Sequence, residues 1–561
     1  MPPKQPKTNQ PNSMKKITLF LFIIFSQTIF SAAKITEAEK LFATCKVWGF
    51  LKYYHPKVAG GEVNWDNQLL EKLPKIENAK TKEEFSLILE NWIDDLGPIK
   101  EIAPIAVPKD VKFFDKNFDL SWFNNKLFSK KLSKKLKFIE ENRFQSDEEF
   151  DYSFDGLKYV KNYFDLDYTN KGSRILMLSA YWNLIEYYFP YKYVMDQKWD
   201  LSLEHILPSI ADAKSEDDFY FAFKKLTSKL NDSHVETPIY GVGAGKKASN
   251  YFPATGKIIN EKLVVTEILG DSLADADNIK IGTVITKING KTIKELIEEN
   301  RDLICASNEA AYLDKAVKRI LSSNSENVQV EFLKDGKYET KAMIWSNYHD
   351  SHRNEFKKGA IKLKEKFKLL DNNIGYVDMG IIKPRNIPDM IEALKSTKAI
   401  VFDMRNYPND TWKQISDFLN AEEKRFCDYT EPYLKYPGRY EWVEGRKAGF
   451  ENKDHYKGKV VVLLNEDAFS QSEWTAMCFQ TAGNTTIIGS QTAGADGNVT
   501  ELDFKGFHTR YTGIGVYYPD GRETQRIGII PDIEVKPTIK GIQEGKDEVL
   551  DRALLFIETG K

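Results

Sequence analysis

Hydrophobic and polar positions divide the chain into stretches of different period. Aromatic and aliphatic residues recur at helical spacing in Trp48-Gly-Phe-Leu-Lys-Tyr-Tyr-His-Pro56, and again in Trp182-Asn-Leu-Ile-Glu-Tyr-Tyr-Phe-Pro190. The same offset of 134 carries Trp65 onto Trp199, Pro74 onto Pro208 and Phe85 onto Phe219. This spacing predicts two copies of a helical hairpin that stacks its aromatics inward. The copies differ at their ends: the first closes on Leu96-Gly97-Pro98, the second on Leu230-Asn231-Asp232-Ser233-His234-Val235. A duplicated scaffold needs no Ser-His pair for packing, so His234 is a candidate functional residue. A solvent-facing histidine is the competing reading.

Between the copies the chain is rich in Phe and Lys. Lys130, Lys131, Lys134, Lys135 and Lys137 fall in an amphipathic helix pattern that reads as a solvated face, offset by Asp147, Glu148, Glu149 and Asp151. Further on, short β-branched runs occupy 263–268, 283–288 and 328–333. The last meets 337–343 across Asp335-Gly336, a hairpin signal. After Asn372 strand and helix patterns alternate: strands at 374–378, 399–404, 459–464 and 485–489, helices at 388–396 and 471–482. That order implies parallel strands with helices packed on the sheet. The segment 511–521, ending Pro519-Asp520-Gly521, reads as a hairpin.

Lys15 and Lys16 precede an apolar run at 17–30 that ends in Ser31-Ala32-Ala33, a secretory signal pattern. The run is shorter than the ~20 residues a bilayer span requires, and a retained anchor is the competing reading. Met14 is a candidate start, because 1–13 is polar and carries four prolines. The mature protein is expected to be exported, periplasmic or extracellular, touching a membrane only through this leader.

Composition narrows the function classes. Lys plus Arg total 80 against 82 Asp plus Glu, so there is no overall positive field for a phosphate backbone, and nucleic acid is not an expected partner. Cys45, Cys305, Cys427 and Cys478 show no CxxC or Cys/His spacing and are expected to be buried singly. No P-loop, dinucleotide fingerprint or HExxH motif occurs, and His349 and His352 read as linker surface. Neither cofactor nor metal is expected.

In a parallel sheet, reactive groups collect beyond the carboxyl ends of the strands. Asn465-Glu-Asp-Ala-Phe-Ser470 is such a turn, and Ser470 opens the following helix near its free N–H groups. Ser470 with Glu473 is also a capping box, and spacing alone does not separate a cap from a nucleophile.

Two resemblances go further. Ser272-Leu-Ala-Asp-Ala-Asp-Asn-Ile-Lys-Ile-Gly-Thr-Val-Ile-Thr-Lys-Ile-Asn-Gly290 resembles the PDZ domain. That implies a peptide added to a sheet edge, often held by its C-terminal carboxylate; a spacer or lid is the alternative. The strand, Ser-x-x-Glu helix, strand and Gly489-Ser-Gln-Thr-Ala-Gly494 resemble the catalytic core of the C-terminal processing peptidases, or tail-specific proteases. Tyr376, Asp403-Met-Arg-Asn406 and Gly528-Ile-Ile-Pro-Asp-Ile-Glu-Val535 fit the same family. The resemblance implies Ser470 as nucleophile and the Gln471 N–H in the oxyanion hole.

The family's lysine base follows the Gly of Thr-x-Gly, where Ala495 and Asp496 stand here, and no Lys or Arg occurs from 460 to 504. The related tricorn branch uses a Ser-His pair instead, which Ser233-His234 resembles, so His234 is the implied base with Ser233 assisting. For the third member the branch implies Glu523, with Gln525 and Asp496 as rivals. The family's Arg-Asn-x-Pro-Gly-Gly turn reads Arg405-Asn406-Tyr407-Pro408-Asn409-Asp410, and its second oxyanion donor falls to Asn409 or Asp410.

The expected architecture is multidomain α/β: a leader at 1–33, a helical domain at 34–170 with the first copy, and a second copy at 171–250. A PDZ-like β-rich module at 251–348 and an α/β catalytic core of the tail-specific protease (ClpP/crotonase-like) type at 349–561 complete it. The expected activity is a serine-type peptidase acting on peptide or protein substrates through an acyl-enzyme. A catalytically silent peptide-binding protein of the same fold and a serine esterase are the alternatives.

Overall fold

The structure, a computed structural model, describes residues 1–3, 35–106, 108–145, 166–236, 250–269, 277–345, 365–504 and 507–561, with 152, 153, 156, 157, 163 and 274. The apolar run of the leader, the acidic cluster at 147–151, Ser272, His349 and His352 lie outside the described residues.

The repeat is copied element by element. Helices α1 (Glu37–Tyr54), α2 (Trp65–Asn78) and α3 (Lys82–Asp95) precede α4 (Lys130–Glu141), which carries the lysine face. The second copy is α5 (Lys171–Tyr188), α6 (Trp199–Ala211) and α7 (Glu216–Ser228). Within each copy two tryptophans exchange indole hydrogen bonds with each other's carbonyls. Trp65 Nε1 donates to Trp48 O at 3.0 Å, and Trp199 Nε1 to Trp182 O at 3.0 Å. Gly49 of α1 faces Asn183 of α5, its equivalent one copy on, and a Cβ there would overlap the asparagine side chain. The two copies share one core with Tyr440, Tyr511 and Tyr517 from the C-terminal half.

The β-rich module is an antiparallel sheet of β1 (Ala254–Ile259), β2 (Lys262–Ile268), β3 (Val284–Ile288), β4 (Asn327–Lys334) and β5 (Lys337–Ile344). Their order is β5-β4-β3-β2-β1, which leaves β1 at an edge among the described residues. Asp335 and Gly336 take φ of 49° and 77°, the paired left-handed values of a type I′ hairpin turn. Helix α8 (Glu309–Ile320) buries Tyr312, Ala316, Val317 and Ile320 in the module's own core.

The α/β core orders β6 (Phe367–Leu370), β7 (Ile374–Asp378), β8 (Ala399–Asp403), β9 (Lys459–Leu464), β10 (Thr485–Gly489) and β11 (Ile533–Glu534) in one sheet. All pairs from β7 to β11 are parallel; β6 is antiparallel to β7. Alternation along β9 feeds two cores: Val460, Val462 and Leu464 face a layer that includes α9 (Gln471–Gln480). Val461 and Leu463 face the C-terminal helix Glu548–Thr559. Burial on both faces accounts for the continuous apolar run of this strand.

The segment 511–521 is not one hairpin. Strand Phe507–Thr512 pairs with Val499–Phe504, while Gly515–Tyr517 pairs with Asp428–Pro432 in a different sheet. Gly513, where a Cβ would press on Thr500 Oγ1, lies between the two strands. The Pro-Asp-Gly turn does form, with Gly521 N–H donating to Tyr518 O at 2.8 Å.

Candidate active site

β9 delivers the chain to a turn from which Ser470 enters α9 with φ 54° and ψ −122°. The Ser470–Glu473 capping box is present; Ser470 is at the same time a non-glycine residue held at positive φ on a strand-to-helix turn, a strained conformation of the kind that clusters at functional sites. The strain is held by backbone bonds: Ser470 N–H donates to Ala495 O at 2.7 Å and to Glu473 Oε2 at 3.2 Å.

Glu473 is fully buried and ties the serine to the loop 492–495. It accepts from Gly494 N–H at 2.8 Å, from Ala495 N–H at 3.0 Å and from the Thr492 hydroxyl. Burial pushes its carboxyl up to about 7 against the pull of these donors. Gln471 is the first helical residue, so its N–H has no carbonyl one turn earlier and lies at the positive end of α9.

The turn after β8 packs against this helix, with Ser472 Oγ donating to Asn406 O at 2.9 Å. Its base is fixed by Asp403, which accepts from Tyr376 OH at 2.8 Å and from Arg405 Nε at 2.9 Å. Asp410 adopts φ 55°, the left-handed conformation that a glycine would take there, while Asn409 Nδ2 donates to Gly380 O at 2.9 Å. The Tyr407 ring lies 5.5 Å from that of Phe469, the residue before Ser470.

His234 reaches the same place from the end of α7. Its ring is 3% exposed and stands edge-on to Phe469 with centroids 6.0 Å apart. Ser233 Oγ donates to Ala493 O at 3.0 Å, so one loop, 492–495, holds both the serine and the histidine segments. The β-rich module grips this segment as well. Ser233 N–H donates to Ser307 Oγ at 2.7 Å, and the Lys315 ammonium of α8 donates to Ser233 O at 2.7 Å. Burial pulls the His234 imidazole down to about 4, opposed by Asp232. Its Nδ1 is 2.8 Å from Thr512 Oγ1.

Of the sequence-predicted residues, Ser470, Gln471, Asn409, Asp410, Ser233 and His234 gather around this loop and turn. Ser233 is spent on backbone and Ser307 rather than on a carboxylate. Glu523 is engaged elsewhere, accepting from Lys116 Nζ at 2.9 Å. Asp496 is buried, its Oδ1 accepting from Gly497 N–H at 2.7 Å, and desolvation raises its carboxyl well above the ordinary range. Gln525 Nε2 lies 3.4 Å from Asp232 Oδ1.

Asp232 is a member of the site that sequence reasoning misses. Its signal is local: a carboxylate two residues before His234 that accepts from the His234 N–H at 3.0 Å, an Asx turn. Thr512 carries no such signal. All four cysteines are buried and free. Among the described residues no group of His, Cys, Asp and Glu is arranged to hold a metal ion, and no helix is long and apolar enough to cross a membrane.

The α/β core places its strained serine on the turn between β9 and α9, beyond the carboxyl end of a central parallel strand. Residues 373–535 match the model of Peptidase family S41, and the motifs of this core resemble those of the C-terminal processing peptidases. A probable CtpA-like serine protease of Staphylococcus aureus (strain N315) is 22% identical over 313 residues, covering 56% of this chain and 55% of that protein. Its counterpart in Staphylococcus haemolyticus (strain JCSC1435) is 22% identical over 338 residues, 60% of each chain. The match thus spans little more than half the length of these curated relatives. Mature CPAF complexed with lactacystin shares the fold, with a TM-score of 0.55 at 14% identity over 69% of this chain and 99% of that one. Mature CPAF alone gives 0.54 over 69% and 98%.

Proposed function

We propose that the chain is an exported serine peptidase that hydrolyses peptide bonds through an acyl-enzyme on Ser470, with His234 as general base. The observation that carries this reading is the convergence on loop 492–495 of a serine in strained backbone geometry and a buried histidine. Ser470 Oγ attacks the substrate carbonyl carbon while His234 takes the hydroxyl proton. The tetrahedral oxyanion develops toward the Gln471 N–H and the 409–410 backbone. His234 then returns its proton to the leaving amine, and a water deprotonated by the same ring releases the acid.

The β-rich module serves as a PDZ-like reader. Its strand β1, at the sheet edge among the described residues, would receive an extended peptide, with the C-terminus of the substrate as the natural anchor. Export rests on the basic residues and apolar run at 15–33.

An active-site-directed fluorophosphonate tests the reading. Wild type is expected to be labelled on Ser470 and to cleave a peptide library; Ser470→Ala abolishes both. An unlabelled and inactive wild type would mean a silent peptide binder, and turnover of esters without peptides would mean an esterase.

A further inference from the structure

We infer that Asp232 is the carboxylate that positions the base and that it acts through the Thr512 hydroxyl, a His234–Thr512–Asp232 relay. The inference rests on the reading of His234 as the base and gives the third role to Asp232 in place of Glu523, Gln525 or Asp496.

Hydrogen-bond bookkeeping around Asp232 fixes the direction of every proton. The carboxylate is wholly buried. Oδ2 accepts from Thr512 N–H at 2.7 Å; Oδ1 accepts from Thr512 Oγ1–H at 2.9 Å and from His234 N–H at 3.0 Å. With donors converging on both oxygens, Asp232 acts only as an acceptor. Thr512 owns a single hydroxyl proton and commits it to Asp232, so toward the imidazole it has lone pairs alone to offer. The 2.8 Å contact therefore requires the proton on His234 Nδ1. The remaining nitrogen, Nε2, carries the lone pair, the form a general base needs.

A direct bond is ruled out by distance: His234 Nδ1 and Asp232 Oδ1 are 3.8 Å apart, beyond hydrogen-bond reach. The hydroxyl spans that gap. When Nε2 accepts the Ser470 proton, the imidazolium keeps Nδ1–H on Thr512, and the buried negative charge one bond further stabilises it. The other charged groups around the ring are Glu236, Arg510 and Lys315. Arg510 and Lys315 spend donors on the His234 and Ser233 carbonyls, so Asp232 is the anion held in line with Nδ1.

The test is a pair of measurements. In protein labelled with ¹⁵N-histidine, His234, identified by its loss in His234→Gln, should show the Nδ1–H tautomer at neutral pH. In fluorophosphonate labelling, Thr512→Ser should stay within about threefold of wild type, whereas Thr512→Val should fall about 10²-fold. Asp232→Asn should fall by about 10²–10⁴-fold, because the amide can donate to Thr512 and turn its hydroxyl toward Nδ1, inverting the tautomer. An Nε2–H tautomer in wild type, or Thr512→Ser as damaging as Thr512→Val, overturns the relay. Wild-type labelling rates in Thr512→Val overturn it too. Should a variant fail to fold, the wild-type tautomer decides alone. Labelling that survives His234→Ala overturns the proposed function instead, whatever the tautomer.

Discussion

The two helical copies show how one scaffold is kept for packing in one place and, on the proposed function, equipped for chemistry in another. Their last helices stop in the same way, with a left-handed residue at the equivalent position: Gly97 at φ 85° in the first copy, Asn231 at φ 51° in the second. From there the first copy runs into Pro98, which cannot donate a backbone hydrogen bond. The second runs into Asp232, whose carboxylate folds the chain back onto His234 and Thr512. The difference teaches that helix packing is indifferent to the residues beyond the stop, so the exit from the second copy was available for a site. A second contrast lies within the shared core. Among the described residues His55 is buried with both ring nitrogens unpartnered, where the equivalent Phe189 has nothing to satisfy.

The comparison is broken most severely at its functional end. His234→Ala should lower peptide hydrolysis by about 10²–10⁴-fold, the usual weight of a general base, while thermal unfolding of the helical core stays near wild type. An equal loss of stability would mean that the second copy needs its ending for packing after all. Next is the crossing of the copies: Gly49→Ala drives a methyl into Asn183 and should cost about 1–3 kcal/mol in denaturant unfolding.

Replacing His55 with the residue of the other copy has the opposite sign. His55→Phe removes two buried polar atoms without partners among the described residues and should stabilise by about 1 kcal/mol. It should also reduce acid lability. Burial lowers His55 to about 4 from an ordinary 6.5, so the fold binds fewer protons than the unfolded chain between those values. Stability from this residue is present above about pH 6.5 and lost as pH falls toward 4; His234 shares the same window and sign. The smallest effect is expected at the stop itself, where Gly97→Ala meets the left-handed penalty of about 1 kcal/mol.

The repeat and the core strands were legible because periodicity survives in single residues. Trp48 and Trp182, or the apolar run of β9, declare their environment without knowledge of their partners. The Ser-His exit was legible for a different reason, since a duplicated background made the departure visible. Features that depend on residues remote in sequence could not be read. Thr512 is an ordinary strand threonine until it is set against a histidine 278 residues away. Glu523, chosen by its spacing from a motif, is claimed by Lys116, 407 positions off. The hairpin at 511–521 failed because alternation says which residues face inward but not which sheet receives them.

The most direct test of the account is a crystal structure of the phosphonylated protein. The prediction is phosphorus bonded to Ser470 Oγ, a phosphonyl oxygen directed at the Gln471 N–H, and His234 Nε2 within about 3.2 Å of the serine oxygen or the adduct. An adduct on another residue, or an imidazole turned away with no other base beside Ser470, would contradict it.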